Sequence, residues 1–401
     1  MNAQDTFAED AAPWSARMVF RLLARIESGS LLLVTPDGIQ RRFSGLVAGP
    51  QARLEVHDWR AFARIASAAD IGLFEAWREG QVSTPDMTAV LRLALRNAST
   101  LANLYHGGWL TRATLRAAHA LRANTRAGSR RNIHAHYDLG NAFYSRWLDP
   151  TMTYSSALFE GPGQDLERAQ EAKYDRILDR LGLVPGDRVL EIGCGWGGFA
   201  ERAALRGCHV DGITISQAQL DFARERIARA GLDDRVDMRF LDYRDLSGTH
   251  DRIVSIEMVE AVGERYWPTF FGMLRDRLAP GGRALLQSIV VADDAFDRYR
   301  RSSDFIRERV FPGGMLPSMR RLREEAHRAG LEVLAPFHFG GHYAETLRHW
   351  RRDFEAAEGE IRALGFDDAF LATWRFYLDY CEAGFEEGRV DVVQVEFQRG
   401  G

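Results

Sequence analysis

The chain has 401 residues, of which 46% are hydrophobic and 27% charged, a composition typical of folded globular proteins and long enough for one large and one smaller domain. Its net charge of −4 argues against nucleic acid as a partner, because nucleic-acid binders carry a basic surface. The apolar runs are too short to span a bilayer, and the N-terminus lacks the basic-then-apolar order of a signal peptide. We therefore expect a cytoplasmic protein.

Residues 1–125 are predicted to form a smaller, mainly helical N-terminal domain. Apolar residues recur at helical spacing over residues 17–28, which predicts an amphipathic helix. Residues 31–57 contain turn residues between short alternating segments and are predicted to be strands. Residues 59–99 are predicted to be helices, interrupted at the sequence REGQVSTPD.

A basic segment follows at residues 112–131, with six arginines and no acidic residue. Such a segment is commonly one solvated face of a helix. The alternative is that it docks on anionic lipid head groups, to which each basic residue contributes roughly 1 kcal/mol. Both interpretations stay open from the sequence.

From residue 180 onward, strand-like and helix-like segments alternate along the chain. This alternation predicts the α/β fold class with a doubly wound, mainly parallel sheet. Ser216 precedes one of the predicted helices and is expected to be its N-cap. We assign residues 126–401 to this α/β domain.

The sequence VLEIGCGWGGFAE at residues 189–201 is a strand, a glycine-rich turn and the start of a helix. Its G-x-G-x-G-G spacing differs from the G-x-G-x-x-G of dinucleotide-binding folds. An acid, Glu191, precedes Gly193, Gly195 and Gly198, a pattern associated with S-adenosylmethionine-dependent methyltransferases. A Pro-Gly-Gly turn at residues 278–283 supports the same class I methyltransferase fold. A turn that serves only packing is the alternative.

Six segments, in the same order along the chain, resemble those of cyclopropane-fatty-acyl-phospholipid synthases and mycolic acid cyclopropane synthases. The resemblance implies transfer of a methyl(ene) group to the cis double bond of an unsaturated phospholipid acyl chain, forming a cyclopropane fatty acid. It also implies a homodimer peripheral to the inner face of the membrane, with a lipid-binding or dimerisation domain at residues 1–125. The segments are residues 134–159, 212–219, 256–271, 310–318, 342–354 and the C-terminal VDVVQVEFQRG.

The resemblance further implies a bound bicarbonate that removes a proton during the reaction. By the family pattern, Glu260, Tyr343 and the backbone N–H of Ile289 are expected to hold it. Ser156 and Gln287 stand where the family has a cysteine and a histidine. Both can donate a hydrogen bond to an anion, but neither can carry the charge of a histidine.

The residues expected to bind S-adenosylmethionine follow several strand ends. Asp211 is a rival candidate for the ribose but precedes the expected end of its strand. No metal site is predicted, since two histidines, His134 and His136, and an Asp in a loop are not enough to indicate one. The expected cofactor residues are Tyr154, Ser155, Glu191, Gly193, Gly195, Gly198, Thr214, Ile215, Gln219, Asp242, Tyr243, Arg244 and Ile256.

Three alternatives to cyclopropane formation remain at this point. The same methyl transfer followed by a hydride shift gives a methyl-branched or exomethylene chain, as in routes to branched or furan fatty acids. Small-molecule N-methylation would use the same cofactor but would not need residues 1–125. A non-catalytic lipid-binding protein would not need Glu260, Tyr343 and the glycine turn.

Overall fold

A computed structural model describes residues 12–101 and 139–400 of the chain. These residues form two compact units. The first unit contains the described residues up to Leu101 together with Ser302–Arg309 and Phe366–Arg389, and the second contains the rest. The basic segment 112–131, His134 and His136 lie outside the described residues.

The first unit is a small sheet with helices. Its strands have the order β2-β1-β3-β4, with β1 and β3 parallel and the other two pairs antiparallel. The C-terminal helix Asp368–Glu386 also belongs to this unit, and within it the Thr88 hydroxyl donates to the Asp379 carboxylate at 3.0 Å. The other elements are α1 (Trp14–Leu23), β1 (Ser28–Val34), β2 (Gln40–Ser44), β3 (Val47–Val56), α2 (Arg60–Arg78), β4 (Val82–Ser83), α3 (Met87–Arg96) and α4 (Ala98–Leu101).

The first helix ends earlier than the predicted 17–28. It ends at Leu23, and Ser28 already pairs with Val47 of β3. The periodicity of the sequence carries no information about this pairing, so the prediction overran the helix. The strands expected within residues 31–57 and the break between α2 and α3 are confirmed.

The second unit is a mixed sheet with helices on both faces, which confirms the predicted α/β fold class and its doubly wound sheet. The strand order is β10-β12-β9-β8-β5-β6-β7, with β11 beside β12. Pairs from β9 to β7 are parallel, whereas β12 is antiparallel to its neighbours. The strands are β5 (Arg188–Ile192), β6 (His209–Thr214), β7 (Val236–Phe240), β8 (His250–Ile256), β9 (Leu278–Val291), β10 (Leu331–Val333), β11 (Phe337–His338) and β12 (Val390–Arg399).

Helices cover both faces of this sheet because its central strands are apolar on both sides. Val189 and Leu190, neighbours in β5, belong to two different core clusters and are both fully buried, as alternating side chains of a covered parallel strand must be. The helices are α5 (Asn141–Tyr144), α6 (Leu166–Leu181), α7 (Gly198–Leu205), α8 (Gln217–Arg229), α9 (Val259–Val262), α10 (Trp267–Arg277), α11 (Phe296–Tyr299), α12 (Met319–Arg328), α13 (Gly340–Ala356) and α14 (Glu358–Ala363).

None of the helices in the described part of the chain has the length and apolar character needed to cross a membrane.

Candidate active site

The glycine turn lies between β5 and α7, at the carboxyl edge of the parallel strands. Gly193 and Gly195 have φ angles of +84° and +51°, a backbone region that favours glycine. A Cβ on Gly195 would meet no atom within 4 Å, whereas one on Gly198 would lie 2.9 Å from the Tyr174 hydroxyl. Gly195 therefore borders open space, and Gly198 is required for packing.

Glu191 lies directly before the turn and has an unusual environment. The residue is buried, and its Oε2 has no hydrogen-bond partner among the described residues. Burial raises the pKa of this carboxyl well above its usual range, and the charge of Lys173 opposes that shift. An unpartnered carboxyl two residues before Gly193 is suited in its chemistry to the amino group of S-adenosylmethionine, and that contact stays a prediction.

Thr214 and Gln219 lie close together where β6 passes into α8. Both are buried, and their side-chain oxygens are 3.3 Å apart. Ser216 is the N-cap of α8, as predicted, and its hydroxyl accepts a hydrogen bond from the Gln219 N–H. Ile215, which follows Thr214 in the chain, is half-buried. The rival acid Asp211 instead pairs with Arg188 on the strand.

The segment after β7 has a structural anchor of its own. The buried Asp242 carboxylate accepts hydrogen bonds from the backbone N–H and the guanidinium of Arg244. The Tyr243 ring packs edge-on against Phe270, 5.5 Å between centroids. Ile256 is the last residue of β8 and is half-buried. It therefore lies at the same end of the sheet as the other strand ends of the site. Their expected contact with adenine stays a prediction.

Ser155 is held by the chain's single lysine. The Lys173 ammonium donates to the Ser155 hydroxyl at 2.7 Å and to the Gln170 side chain at 2.8 Å. Lys173 is fully buried, and this burial lowers its pKa to about 7, although the carboxylates of Glu257, Asp149 and Glu191 act in the opposite direction. The Lys173 side chain, on α6, thus faces these three carboxyl groups.

Aromatic rings surround this part of the second unit. The Tyr154 ring lies 5.2 Å from that of Trp350 and 5.4 Å from that of Tyr144, between centroids. Trp350 also packs against Tyr343 at 6.0 Å. Aromatic faces attract cations and exclude water. The acyl-chain tunnel that we expect here stays a prediction.

A carboxylate that the sequence analysis missed lies at the centre of the predicted catalytic residues. The Oε1 of Glu257 accepts hydrogen bonds from the Ser156 backbone N–H at 2.9 Å and from the Gln287 side-chain amide at 2.8 Å. Its Oε2 accepts one from the Tyr343 hydroxyl at 2.7 Å. Three of the five predicted catalytic residues therefore meet on the side chain of Glu257.

The position of Glu257 requires a strained backbone. It follows the last residue of β8 with a φ of +49°, which for a residue other than glycine costs on the order of 1–3 kcal/mol. The Gln287 amide that contacts it is itself fixed, because Gln394 on β12 donates to its oxygen at 3.0 Å. Strain held in place by surrounding donors is typical of functional sites.

Glu260, on α9, forms a second carboxyl beside the first. Its Oε1 accepts hydrogen bonds from the Ile289 N–H at 2.6 Å and the Ser288 hydroxyl at 3.0 Å. Its Oε2 is buried and has no partner among the described residues. Burial, followed by the negative charge of Glu257, raises the pKa of Glu260 to about 8. Glu260 therefore carries a proton at neutral pH.

Two predicted residues contact other groups than expected. The hydroxyl of Ser156 donates to the Ala157 carbonyl, so the backbone N–H and not the side chain reaches the anion. The Ile289 N–H donates to Glu260 rather than to a separate ion. The donors that the resemblance assigns to bicarbonate are thus engaged by protein carboxyls, and a bicarbonate ion does not fit among them.

Glu257 and Lys173 had weak but visible sequence signals. Glu257 lies in the same SIEMVE segment as Glu260, and Lys173 is the one lysine among 52 basic residues. Neither is among the residues to which the family pattern assigns a role. Over residues 12–101 and 139–400, no three His, Cys, Asp or Glu side chains are arranged to hold a metal ion.

A family model for mycolic acid cyclopropane synthetase matches residues 124–395. The chain belongs to this family. It is accordingly a methyltransferase that depends on S-adenosylmethionine, as the resemblance implied.

Two relatives cover most of the chain. A tuberculostearic acid methyltransferase of Mycobacterium tuberculosis is 38% identical over 399 residues, 96% of this chain and 92% of that protein. The cyclopropane-fatty-acyl-phospholipid synthase of Escherichia coli K12 is 37% identical over 347 residues, 84% of this chain and 86% of that protein. A relative named for tuberculostearic acid and one named for a cyclopropane product are therefore similar to this chain to nearly the same degree.

Solved structures agree with the fold and the cofactor. A mycolic acid cyclopropane synthase complexed with SAH and CTAB is 32% identical, with a TM-score of 0.63 over 67% of this chain and 98% of that one. Coclaurine N-methyltransferase has the same TM-score, 0.63, at 18% identity, covering 83% of this chain and 100% of that one. The second likeness shows the fold alone.

Proposed function

We propose that the chain transfers a methyl group to the cis double bond of an unsaturated phospholipid acyl chain and closes a cyclopropane ring. The observation that carries this proposal is the neighbouring carboxyl pair, Glu257 and Glu260, next to the aromatic rings of Tyr154, Tyr343 and Trp350. S-adenosylmethionine supplies the electrophilic methyl group.

The proposed reaction makes specific demands that these residues meet. An alkene is a weak nucleophile, and its methylation leaves a carbocation that water would capture. Aromatic faces at Tyr154 and Trp350 stabilise a cation without adding a nucleophile. A carboxylate such as Glu257 can accept the proton whose loss completes the product.

A second candidate product is an exomethylene chain, the precursor of a methyl branch. A relative that covers 96% of this chain is named a tuberculostearic acid methyltransferase, and Gln287 stands where the family has a histidine. In this route, a hydride shift moves the cation before proton loss. Saturation of the branch would require a hydride donor from a separate enzyme.

We propose that the enzyme reaches its lipid as a cytoplasmic protein peripheral to the membrane. The named activity of the Escherichia coli relative, on a fatty acyl phospholipid, supports such a substrate. Residues 1–125 would then serve lipid binding or dimerisation, with the basic segment 112–131 facing anionic head groups.

The test uses the purified full chain, methyl-labelled S-adenosylmethionine and vesicles of dioleoyl phosphatidylglycerol. We expect label in the acyl chains after saponification, and none with dipalmitoyl phosphatidylglycerol, which has the same head group but no double bond. Proton NMR of the product then distinguishes ring protons from vinyl protons. Label found only in a head group or in an added amine would contradict the proposal.

A further inference from the structure

Glu257 occupies the position of an anion ligand although it belongs to the chain. Its carboxylate is 2.7–2.9 Å from three donors on three separate segments: the Ser156 N–H, the Gln287 amide and the Tyr343 hydroxyl. Three donors converging on one acceptor are a built anion site. In this structure the anion is a side chain.

A second anion has no place beside it. The Ile289 N–H and the Ser288 hydroxyl are both engaged by Glu260. Burial, followed by the negative charge of Glu257, already raises the pKa of Glu260 to about 8. A bicarbonate ion would add another negative charge to a site whose donors at Ser156, Gln287, Tyr343 and Ile289 are already engaged.

The backbone supports the same conclusion. Glu257 retains a φ of +49° directly after β8, a conformation that a glycine would adopt without strain. The carboxylate is the part of this residue that the surrounding donors contact. A strained residue with a fully engaged side chain indicates selection for that side chain at that point.

We propose that the Glu257 carboxylate is the general base of this enzyme and takes the place of bicarbonate, so that the reaction is independent of any added anion. This inference rests on the proposed function, since it assigns the base for methyl transfer to an alkene. It holds for either product, because both require the loss of one proton.

The proposed step is balanced within the site. The π electrons of the alkene form the new C–C bond, and the pair of the broken C–S bond stays on sulfur. The resulting carbocation loses a proton to Glu257, and the electrons of that C–H bond close the ring or form the exomethylene double bond. Glu257 becomes neutral and later returns the proton to solvent.

The environment of Glu257 suits proton transfer. Removal from bulk water raises its pKa, and the hydrogen bonds from Gln287, Ser156 and Tyr343 limit that rise. The positive charge of Lys173 acts in the same direction as these hydrogen bonds. Burial therefore makes the carboxylate a better proton acceptor than an exposed glutamate, and its three hydrogen-bond donors favour the ionised form that a base requires.

The experiment compares the full-length wild type with Glu257→Gln and Glu257→Gly in buffer freed of carbon dioxide, with dioleoyl phosphatidylglycerol vesicles. We expect full wild-type turnover without bicarbonate. Loss of a general base predicts a fall of about 10²- to 10⁴-fold in both variants. Added bicarbonate or formate should restore turnover to Glu257→Gly, which leaves room for the anion, and not to Glu257→Gln, which fills the space.

Binding gives a second readout that does not depend on turnover. ¹³C NMR of labelled bicarbonate should show saturable binding to donor-free Glu257→Gly and none to the wild type. SAH binding by calorimetry should be unchanged in both variants, which excludes misfolding. Asp251→Asn, at the exposed start of the same strand, is the matched control and should behave as wild type.

The outcomes separate this inference from the proposed function. Wild-type turnover that requires bicarbonate, bicarbonate binding to the wild type, or near-full activity of Glu257→Gln would overturn the assignment of Glu257. A wild type that methylates no acyl chain would overturn the proposed function. The NMR comparison would then still decide whether Glu257 fills the anion site.

Discussion

At the scale of single residues, the site is a pair of neighbouring carboxyls with different hydrogen-bond partners. Glu257 has three hydrogen-bond donors and Glu260 has two, and Glu260 keeps one oxygen without a partner among the described residues. Two enclosed carboxyls close together hold their protons at different pKa values. Three donors favour the ionised form of Glu257, whereas burial and the charge of Glu257 favour the protonated form of Glu260.

This arrangement predicts how stability depends on pH. Because the pKa of Glu260 rises from 4.5 to about 8 on folding, the folded state keeps a proton that the unfolded state releases. The contribution of Glu260 to the free energy of unfolding is fully present below pH 4.5. It falls by about 1.4 kcal/mol per pH unit as the pH rises to 8. Glu260→Gln cannot lose a proton, so urea unfolding between pH 5 and 8 should show a correspondingly flatter profile.

The control for this measurement is Glu225→Gln, an exposed carboxyl on α8 that pairs with Arg229. Its pH profile should follow that of the wild type. If Glu260→Gln has the wild-type slope as well, Glu260 is not protonated in the folded protein.

At the scale of elements, the carboxyl ends of neighbouring strands bring the site together. β5 ends in the glycine turn, β6 ends at Thr214, and β8 ends before Glu257. The ends of parallel strands meet at one edge of a sheet, so short loops from each contribute to a common crevice. The antiparallel β12 then adds Gln394, which fixes the amide of Gln287.

The glycine turn allows a test of which glycines face the cofactor. Gly195 and Gly163 both have positive φ and would give an added Cβ no neighbour within 4 Å. Substitution of either by alanine should cost a similar backbone strain, about 1–2 kcal/mol of unfolding free energy. Only Gly195→Ala should weaken SAH binding, by about tenfold or more, equivalent to 1.4 kcal/mol.

Calorimetric titration with SAH and denaturant unfolding measure the two effects separately. Gly163→Ala is the matched control for strain without cofactor contact. Equal SAH affinity in Gly195→Ala and the wild type would place the cofactor away from this turn.

At the scale of the whole molecule, the chain builds its first unit from three separate segments. Residues 302–309 and the helix Asp368–Glu386 join the N-terminal sheet and helices. Within this unit, the Asp70 carboxylate accepts hydrogen bonds from the Phe305 N–H and the Tyr380 hydroxyl. A chain cut after residue 125 would therefore lack part of the unit.

The membrane prediction also belongs to this scale, and it rests on charge alone. Changing Arg122, Arg126, Arg130 and Arg131 to glutamine removes four positive charges, each contributing roughly 1 kcal/mol at an anionic surface. Flotation with phosphatidylglycerol vesicles should show binding weakened by at least about 100-fold. Salt should weaken wild-type binding in the same sense.

Lysine at the same four positions retains the charge and should retain binding. Equal binding of the glutamine variant and the wild type would make residues 112–131 a solvated segment with no role at the membrane.

The sequence by itself determined the features that have local or periodic causes. Alternating strands and helices follow from hydrophobic periodicity, the turn at Gly193 and Gly195 from backbone freedom, and the N-cap Ser216 from a side chain that reaches three residues ahead. Resemblance added Glu260, Gln287 and Tyr343. Each of these signals lies within a short stretch of sequence, so it can be read without knowing the fold.

Only the tertiary structure decided what holds the anion site. Glu257 meets the N–H of Ser156, 101 residues away, and the hydroxyl of Tyr343, 86 residues away. Its importance depends on three segments converging, which no local pattern records. For the same reason, the sequence did not reveal that a helix near the C-terminus completes the N-terminal unit: contacts distant in the chain are set by packing.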